Sequence, residues 1–176
     1  LFVYKHITIK SFFSILFLIC SGLLQAQLSR THYIPPITAA SDNNALPQNQ
    51  YLHISTTNEN PVNVAVNQVG SGVINYTVSN TSPLEIYIGI GDNTPFILPV
   101  SNTASSVSNK GYIIQSEKPV YASVRLTAGN QTQAGSLVSK GLSGLGKTFR
   151  VGTFTNLKTF TSNNRDYINF VSVMAT

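Results

Sequence analysis

Short alternating runs between turn-forming residues constrain this chain more than any other feature. Tyr51-Leu52-His53-Ile54-Ser55-Thr56, Val62-Asn63-Val64-Ala65-Val66, Val73 to Ser79 and Glu85 to Ile90 place apolar residues at every second position. Successive side chains of a strand point to opposite faces, so a period of two belongs to half-buried β-strands. Between the runs stand Gly70-Ser71-Gly72, Asn80 to Pro83, Gly91 to Pro95 and Asn109 to Gly111. Glycine supplies the positive φ of a hairpin turn, and Asn, Asp, Ser and Pro favour the other joints. Later runs cover Tyr112 to Gln115, Val120 to Ala128, Ser136 to Ser139, Phe149 to Phe154 and Tyr167 to Ala175, about nine strands in all. Hairpins in series imply an antiparallel sheet. The expected fold class is all-β, an antiparallel β-sandwich-like domain after an N-terminal signal peptide, with a spacing of strands that also suits a barrel.

The alternation names a core. Val62, Val64 and Val66 share one face, as do Ile74, Tyr76 and Val78, then Ile86, Ile88 and Ile90, then Val120, Ala122, Val124 and Leu126. Asn63, Asn67, Asn75, Thr77, Ser123, Arg125 and Thr127 fall on the solvated faces.

Residues 1–26 have a signal-peptide layout, with Lys5, His6 and Lys10 ahead of the uncharged apolar run Phe12 to Leu24 and then Gln25-Ala26-Gln27. Cleavage is expected between Ala26 and Gln27; Leu24 stands where a small residue is preferred, so neighbouring bonds stay open. The alternative is an uncleaved anchor, for which the run is shorter than the roughly 20 residues a spanning helix needs. No stable membrane span is expected once the signal is removed. The only cysteine, Cys20, lies inside the segment behind Ile19, where a lipidation site would carry a small residue, so the mature chain has neither disulfides nor a cysteine-ligated metal.

Residues 27–50 form a Pro-rich lead-in, with Pro35-Pro36, Asp42-Asn43-Asn44 and Pro47 opposing any helix, and should lie extended against the domain. Residues 51–176 are the β-domain. Thr176 closes an alternating run without a turn after it, so the domain is expected to be truncated and to belong to a longer protein. Tyr51-Leu52-His53-Ile54-Ser55 and Tyr167-Ile168-Asn169-Phe170-Val171-Ser172 share a Tyr-apolar-polar-apolar pattern, which would mean tandem β-modules if it reflects a repeat.

Charge argues against a nucleic-acid partner. Lys5 and Lys10 leave with the signal, so eleven basic residues become nine against six acidic ones, a net charge of +3. Charged residues make up 10% of the chain, against about 25% in a typical domain, so Asn, Ser and Thr supply the polar surface. Lys110, Lys118, Arg125, Lys140, Lys147, Arg150, Lys158 and Arg165 are scattered singly rather than clustered.

Gly141-Leu142-Ser143-Gly144-Leu145-Gly146-Lys147-Thr148 matches the phosphate-binding pattern G-x-x-x-x-G-K-[ST]. That loop works by opening a helix whose amides face the phosphates. Phe149-Arg150-Val151-Gly152-Thr153-Phe154 reads instead as strand, and the motif reads as a glycine connection between two strands. His32 and His53 are the mature chain's only imidazoles, and Asp42, Glu59, Glu85, Asp92, Glu117 and Asp166 its carboxylates, each standing alone with no nucleophile elbow nearby. His53 is expected to be an outward strand residue. Gly91-Asp92-Asn93 reads as a turn, because the further oxygen ligands of a calcium loop are missing. The acceptor patterns at Asn75, Asn80 and Asn130 are what an Asn/Ser/Thr-rich chain produces by chance. No catalytic, cofactor-binding or metal-ligating residue is assigned, no cofactor is expected, and the chain is read as a non-enzyme.

Glu117-Lys118-Pro119-Val120, then Gly135-Ser136-Leu137-Val138-Ser139, then Leu145-Gly146-Lys147-Thr148-Phe149-Arg150-Val151 follow an order that resembles the IgGFc-binding protein N-terminal domain family. The resemblance covers roughly residues 50–176 and implies a β-rich extracellular module. It also accounts for Gly146-Lys147 without a nucleotide. The lead-in Gln27 to Pro36 looks like the start of large Bacteroidota surface proteins that carry such domains, many of which end in a type IX secretion sorting domain. No residue of a ligand contact is matched, so the family name is no evidence that this chain binds immunoglobulin. The expected function is a non-catalytic adhesive or scaffold module of a larger protein, exported to the extracellular space or outer surface of a Gram-negative bacterium, with an extracellular protein or glycan as partner. The alternative is an accessory domain of a secreted enzyme whose catalytic domain lies beyond residue 176.

Overall fold

The computed structural model describes residues 27–38, 46–152 and 170–175. Residues 1–26, expected to be a signal peptide, Thr153 and Phe154 at the end of the run Phe149 to Phe154, and residues 167–169 of the last expected strand lie outside them. The described residues form nine strands: β1 (Ser29–Ile34), β2 (Ile37–Thr38), β3 (Pro47–Ser55), β4 (Val62–Gln68), β5 (Gly72–Val78), β6 (Leu84–Gly89), β7 (Ile97–Leu98), β8 (Tyr112–Ala128) and β9 (Gln133–Val138). Among the described residues the only helical turns are the 3₁₀ segments Val100–Asn102 and Gly141–Gly144. The chain is all-β, and its main sheet is antiparallel, as the alternating runs imply. Rather than two stacked layers, the order β5-β4-β8-β3-β6 makes a nearly closed, barrel-like five-strand sheet. β1 and β9 also pair with β8, and β2 pairs in parallel with β7 as a small separate ribbon.

β8 organises the fold. Its 17 residues unite two runs that the sequence separates at Lys118-Pro119. Proline has no N–H to give to a ladder and is tolerated inside a sheet only at an edge or a bulge. Here β1 pairs Ser29 with Val120 and Thr31 with Gln115, so residues 116–119 bulge out of the ladder and absorb the proline. The Ser116 hydroxyl donates to the carbonyl of Lys118 at 2.7 Å and steadies the bulge. The first half of β8 pairs with β4 and β1, the second with β3 and β9. One bent strand thus belongs to both halves of the wall.

The core lies inside this wall. Leu52, Ile54, Val62, Val64, Val66, Val78, Ile114, Val120, Ala122 and Val124 are buried, joined by Ile34 of β1 and by Phe96 and Ile97. Phe96 caps the core from a loop that buried side chains tie down. The Thr94 hydroxyl donates to Gln50 Oε1 at 2.6 Å and accepts from the Ile97 amide at 3.0 Å, while Gln50 Nε2 donates to the Gly91 carbonyl at 2.8 Å. A buried polar pair of this kind is tolerated because its hydrogen-bonding groups are used.

Several expectations need correction. Residues 29–34 and 47–50 of the lead-in are extended, as expected, but they are paired strand and contribute Ile34, His32 and Gln50 to the interior. Ile74 and Ile90 are not core: they are 60% and 63% exposed. Ile74 shares the inner face with Val66, its cross-strand partner, but no strand lies on its other side. Phe149–Gly152 and residues 170–175 are not strand, because no edge of the sheet takes them as a ladder partner.

Candidate functional site

The outward faces of the wall differ in chemistry. On β4, β5, β1 and the first half of β8 the cross-strand neighbours are short and uncharged: Asn63 beside Thr77, Asn75 beside Ala65, and Ala65 and Thr31 beside Gln115. There Asn63 Nδ2 donates to Glu117 Oε1 at 3.0 Å, so the amide is spent within the protein.

On β6, β3, the second half of β8, and β9 the outward positions gather aromatic and charged groups. Leu52 and Ile54 point inward, which turns Tyr51, His53 and Ser55 outward; the same parity turns out Glu85 and Tyr87 on β6 and Tyr121, Ser123 and Arg125 on β8. Register then lines them up across the strands. One row runs Tyr87, Tyr51, Arg125, Ser136; the next runs Glu85, His53, Ser123, Val138; Tyr121 stands beside Ser55. The Tyr51 and Tyr87 rings have centroids 5.4 Å apart at 56°, and Tyr51 and His53 are 6.2 Å apart at 37°. Tilted aromatic rings at this spacing attract one another. Tyr87 is 54% exposed, so the pair is held in shape yet open to a ligand. His53 Nδ1 lies 3.6 Å from Glu85 Oε2, and at an exposed site such a pair orients side chains more than it stabilises the fold.

Exposed tyrosines beside an arginine are what binding surfaces concentrate. The ring offers a large contact area with few rotors to freeze, the hydroxyl adds a hydrogen bond, and the guanidinium adds directional donors. Among the described residues no group of three or more His, Cys, Asp or Glu converges.

Two other places are candidates, one a sequence motif and one a cleft of the fold. The phosphate-loop motif is a 3₁₀ turn followed by irregular chain through Gly152, not a helix N-terminus. Three of its amides are already used: Gly141 N donates to Ser139 Oγ at 3.2 Å, Leu142 N to Ser29 Oγ at 3.4 Å and Leu145 N to the Leu142 carbonyl at 3.1 Å. Titrating MgATP into the protein is expected to show no saturable binding in the wild type or in Lys147→Ala. Saturation that disappears in the variant would restore the nucleotide site. The second place is a cleft of about 480 Å³ between β2, β7 and residues 170–175, rimmed by Thr103, Ser105 and Ser108. Lys110 reaches it, but its ammonium donates to Asn93 Oδ1 at 2.7 Å, the Thr94 carbonyl at 2.6 Å and the Ile97 carbonyl at 3.3 Å. Burial lowers its pKa from the usual lysine value. The lysine fastens the Phe96 loop and offers no free cation to a ligand.

His53 and Arg125 stand outward as the alternation implies. His32 does not follow from it: it is fully buried, with Nε2 donating to the Val120 carbonyl at 2.9 Å and the Ser29 carbonyl at 3.1 Å. The grouping of Tyr51, Tyr87 and Tyr121 with Arg125 escapes sequence reasoning, because only the register of three strands makes them neighbours. No protein-family model, curated protein or solved structure matches the chain.

Proposed function

We propose that this chain is a non-catalytic adhesive or scaffold module of a larger exported cell-surface protein, and that it binds an extracellular glycan or protein through the tyrosine-bearing face of β6, β3, β8 and β9. The observation that carries the reading is the Tyr51–Tyr87 pair beside Arg125, preordered by cross-strand packing and left open to solvent. Preordered side chains lose little freedom on binding, which is where such surfaces gain affinity. The export layout of residues 1–26, the low charge and the resemblance to the IgGFc-binding protein N-terminal domain family support an extracellular setting.

The test is binding of the whole chain to arrays of oligosaccharides and of immobilised extracellular proteins, followed by variants of the face. For any ligand found, Tyr51→Ala with Tyr87→Ala is expected to weaken binding by about tenfold or more, the size of a hot-spot loss. Arg125→Ala should weaken it as well, with melting temperatures close to wild type because these are surface positions. Binding that survives the loss of both tyrosines would move the site elsewhere.

A further inference from the structure

The sheet has a seam that is open along most of its length. β5 and β6 are the two ends of the strand order, and an isolated bridge between Ser79 and Ser82 holds them together at one end. From there burial fades along β5: inward-facing Val78 is 1% exposed, Tyr76 is half-buried and Ile74 is 60% exposed. On β6 the core-facing Leu84, Ile86 and Ile88 are only partly covered. A wedge therefore opens away from the bridge, walled by core-facing apolar side chains and rimmed by backbone groups that have no ladder partner among the described residues.

The free edges differ in how they are guarded. Natural edge strands discourage added strands with charges, prolines or bulges. β1 carries Arg30 and ends at Pro35-Pro36; β6 carries Glu85 and follows Pro83. β9 has no charge, but its inward positions are Gln133, Gly135 and Leu137, so an added strand would gain little apolar contact there. β5, Gly-Val-Ile-Asn-Tyr-Thr-Val, has neither charge nor proline and borders the apolar wedge.

We infer that the β5 edge accepts an extended, uncharged peptide strand from another polypeptide, with apolar side chains at alternate positions. The backbone N–H and C=O groups of β5 repeat at the strand pitch of about 3.3 Å, and only another extended backbone matches that spacing. Side chains at every second position of the guest face Ile74, Tyr76, Ile86 and Ile88 and complete the core. A charge at those positions would be taken out of water with no partner on β5, which restricts the guest to uncharged sequence. This surface is separate from the tyrosine face and does not depend on it.

The test uses the full chain and a synthetic peptide, acetylated and amidated, with the sequence of residues 72–78. Alternate β5 amides are expected to exchange quickly with solvent in the free protein and to become protected when the peptide binds. Ile74→Lys, at a mostly exposed position, should weaken the peptide by about tenfold or more with little change in melting temperature. The same peptide N-methylated at alternate backbone nitrogens should lose binding to a similar extent, because its side chains are intact but its donors are gone. Absence of wild-type binding, indifference to N-methylation, or β5 amides already protected in the free monomer would each overturn the inference. Concentration-dependent dimerisation abolished by Ile74→Lys would overturn it in favour of a second copy as the occupant.

Discussion

Leu52→Ala is expected to cost about 2–5 kcal/mol, the range for emptying a fully buried leucine site. Leu52 sits in the middle of β3 with no exposure, between Ile86 of β6 and Val124 of β8. The surrounding walls are hydrogen-bonded strands that cannot close over the hole, so the cavity term adds to the lost transfer energy. In a chain of this size each kcal/mol corresponds to about 2–4 °C in melting temperature, so a calorimetric midpoint lowered by about 4–20 °C is the expected readout. A shift of only a degree or two would mean that the site is not the sealed interior described. Tyr87→Ala, removing a larger side chain from the outside of the same sheet, serves as the contrast.

Acid should loosen the domain through His32. Its Nε2–H serves the Val120 and Ser29 carbonyls, and Nδ1 has no partner, so protonation would place an uncompensated charge inside the wall. Burial lowers its pKa from 6.5, with the hydrogen bonds to Val120 and Ser29 pulling the other way. Because the folded value lies below the unfolded one, the unfolded chain takes up the proton first. The stability tied to neutral His32 is complete above pH about 6.5 and is lost progressively as pH falls below it. Melting temperature measured from pH 8 to pH 5 should therefore decline on the acid side. His32→Gln keeps an N–H donor in reach of the Val120 carbonyl but has no proton to gain, so its profile should be flatter. An unchanged slope in the variant would assign the acid sensitivity to other groups.

Local alternation was enough to locate β4, β5, β6 and the buried face Val62-Val64-Val66, because side-chain direction in a strand depends only on its neighbours in sequence. It failed where burial depends on what lies across the sheet. Ile74 has the same local pattern as Val78, and only the open seam separates an exposed residue from a buried one. Lys118-Pro119 looks like a strand break; the bulge opposite Ser29 to Thr31 is what lets β8 run through it. His32 and Gln50 lie in proline-rich sequence with no period to read, and their burial follows from pairing with β8. The candidate face was half legible. Alternation turned His53 and Arg125 outward, whereas their grouping with Tyr51, Tyr87 and Tyr121 is a property of register.

The central position of β8 also dictates an order of events. β1, β3 and β4 all take β8 as a ladder partner, and the bond from His32 to Val120 spans 88 residues of sequence. A chain emerging from its N-terminus can close the β4–β5 hairpin and pair β3 with β6, but β1 waits for residues 112–128 to arrive, and β3 and β4 wait for them as a second partner. Closing such long loops before any contact rewards them is slow, so folding in the millisecond-to-second range of non-local β-proteins follows from the topology. The partly made chain therefore stays open and threadable until residues 112–128 are delivered, and then the wall assembles around a single strand.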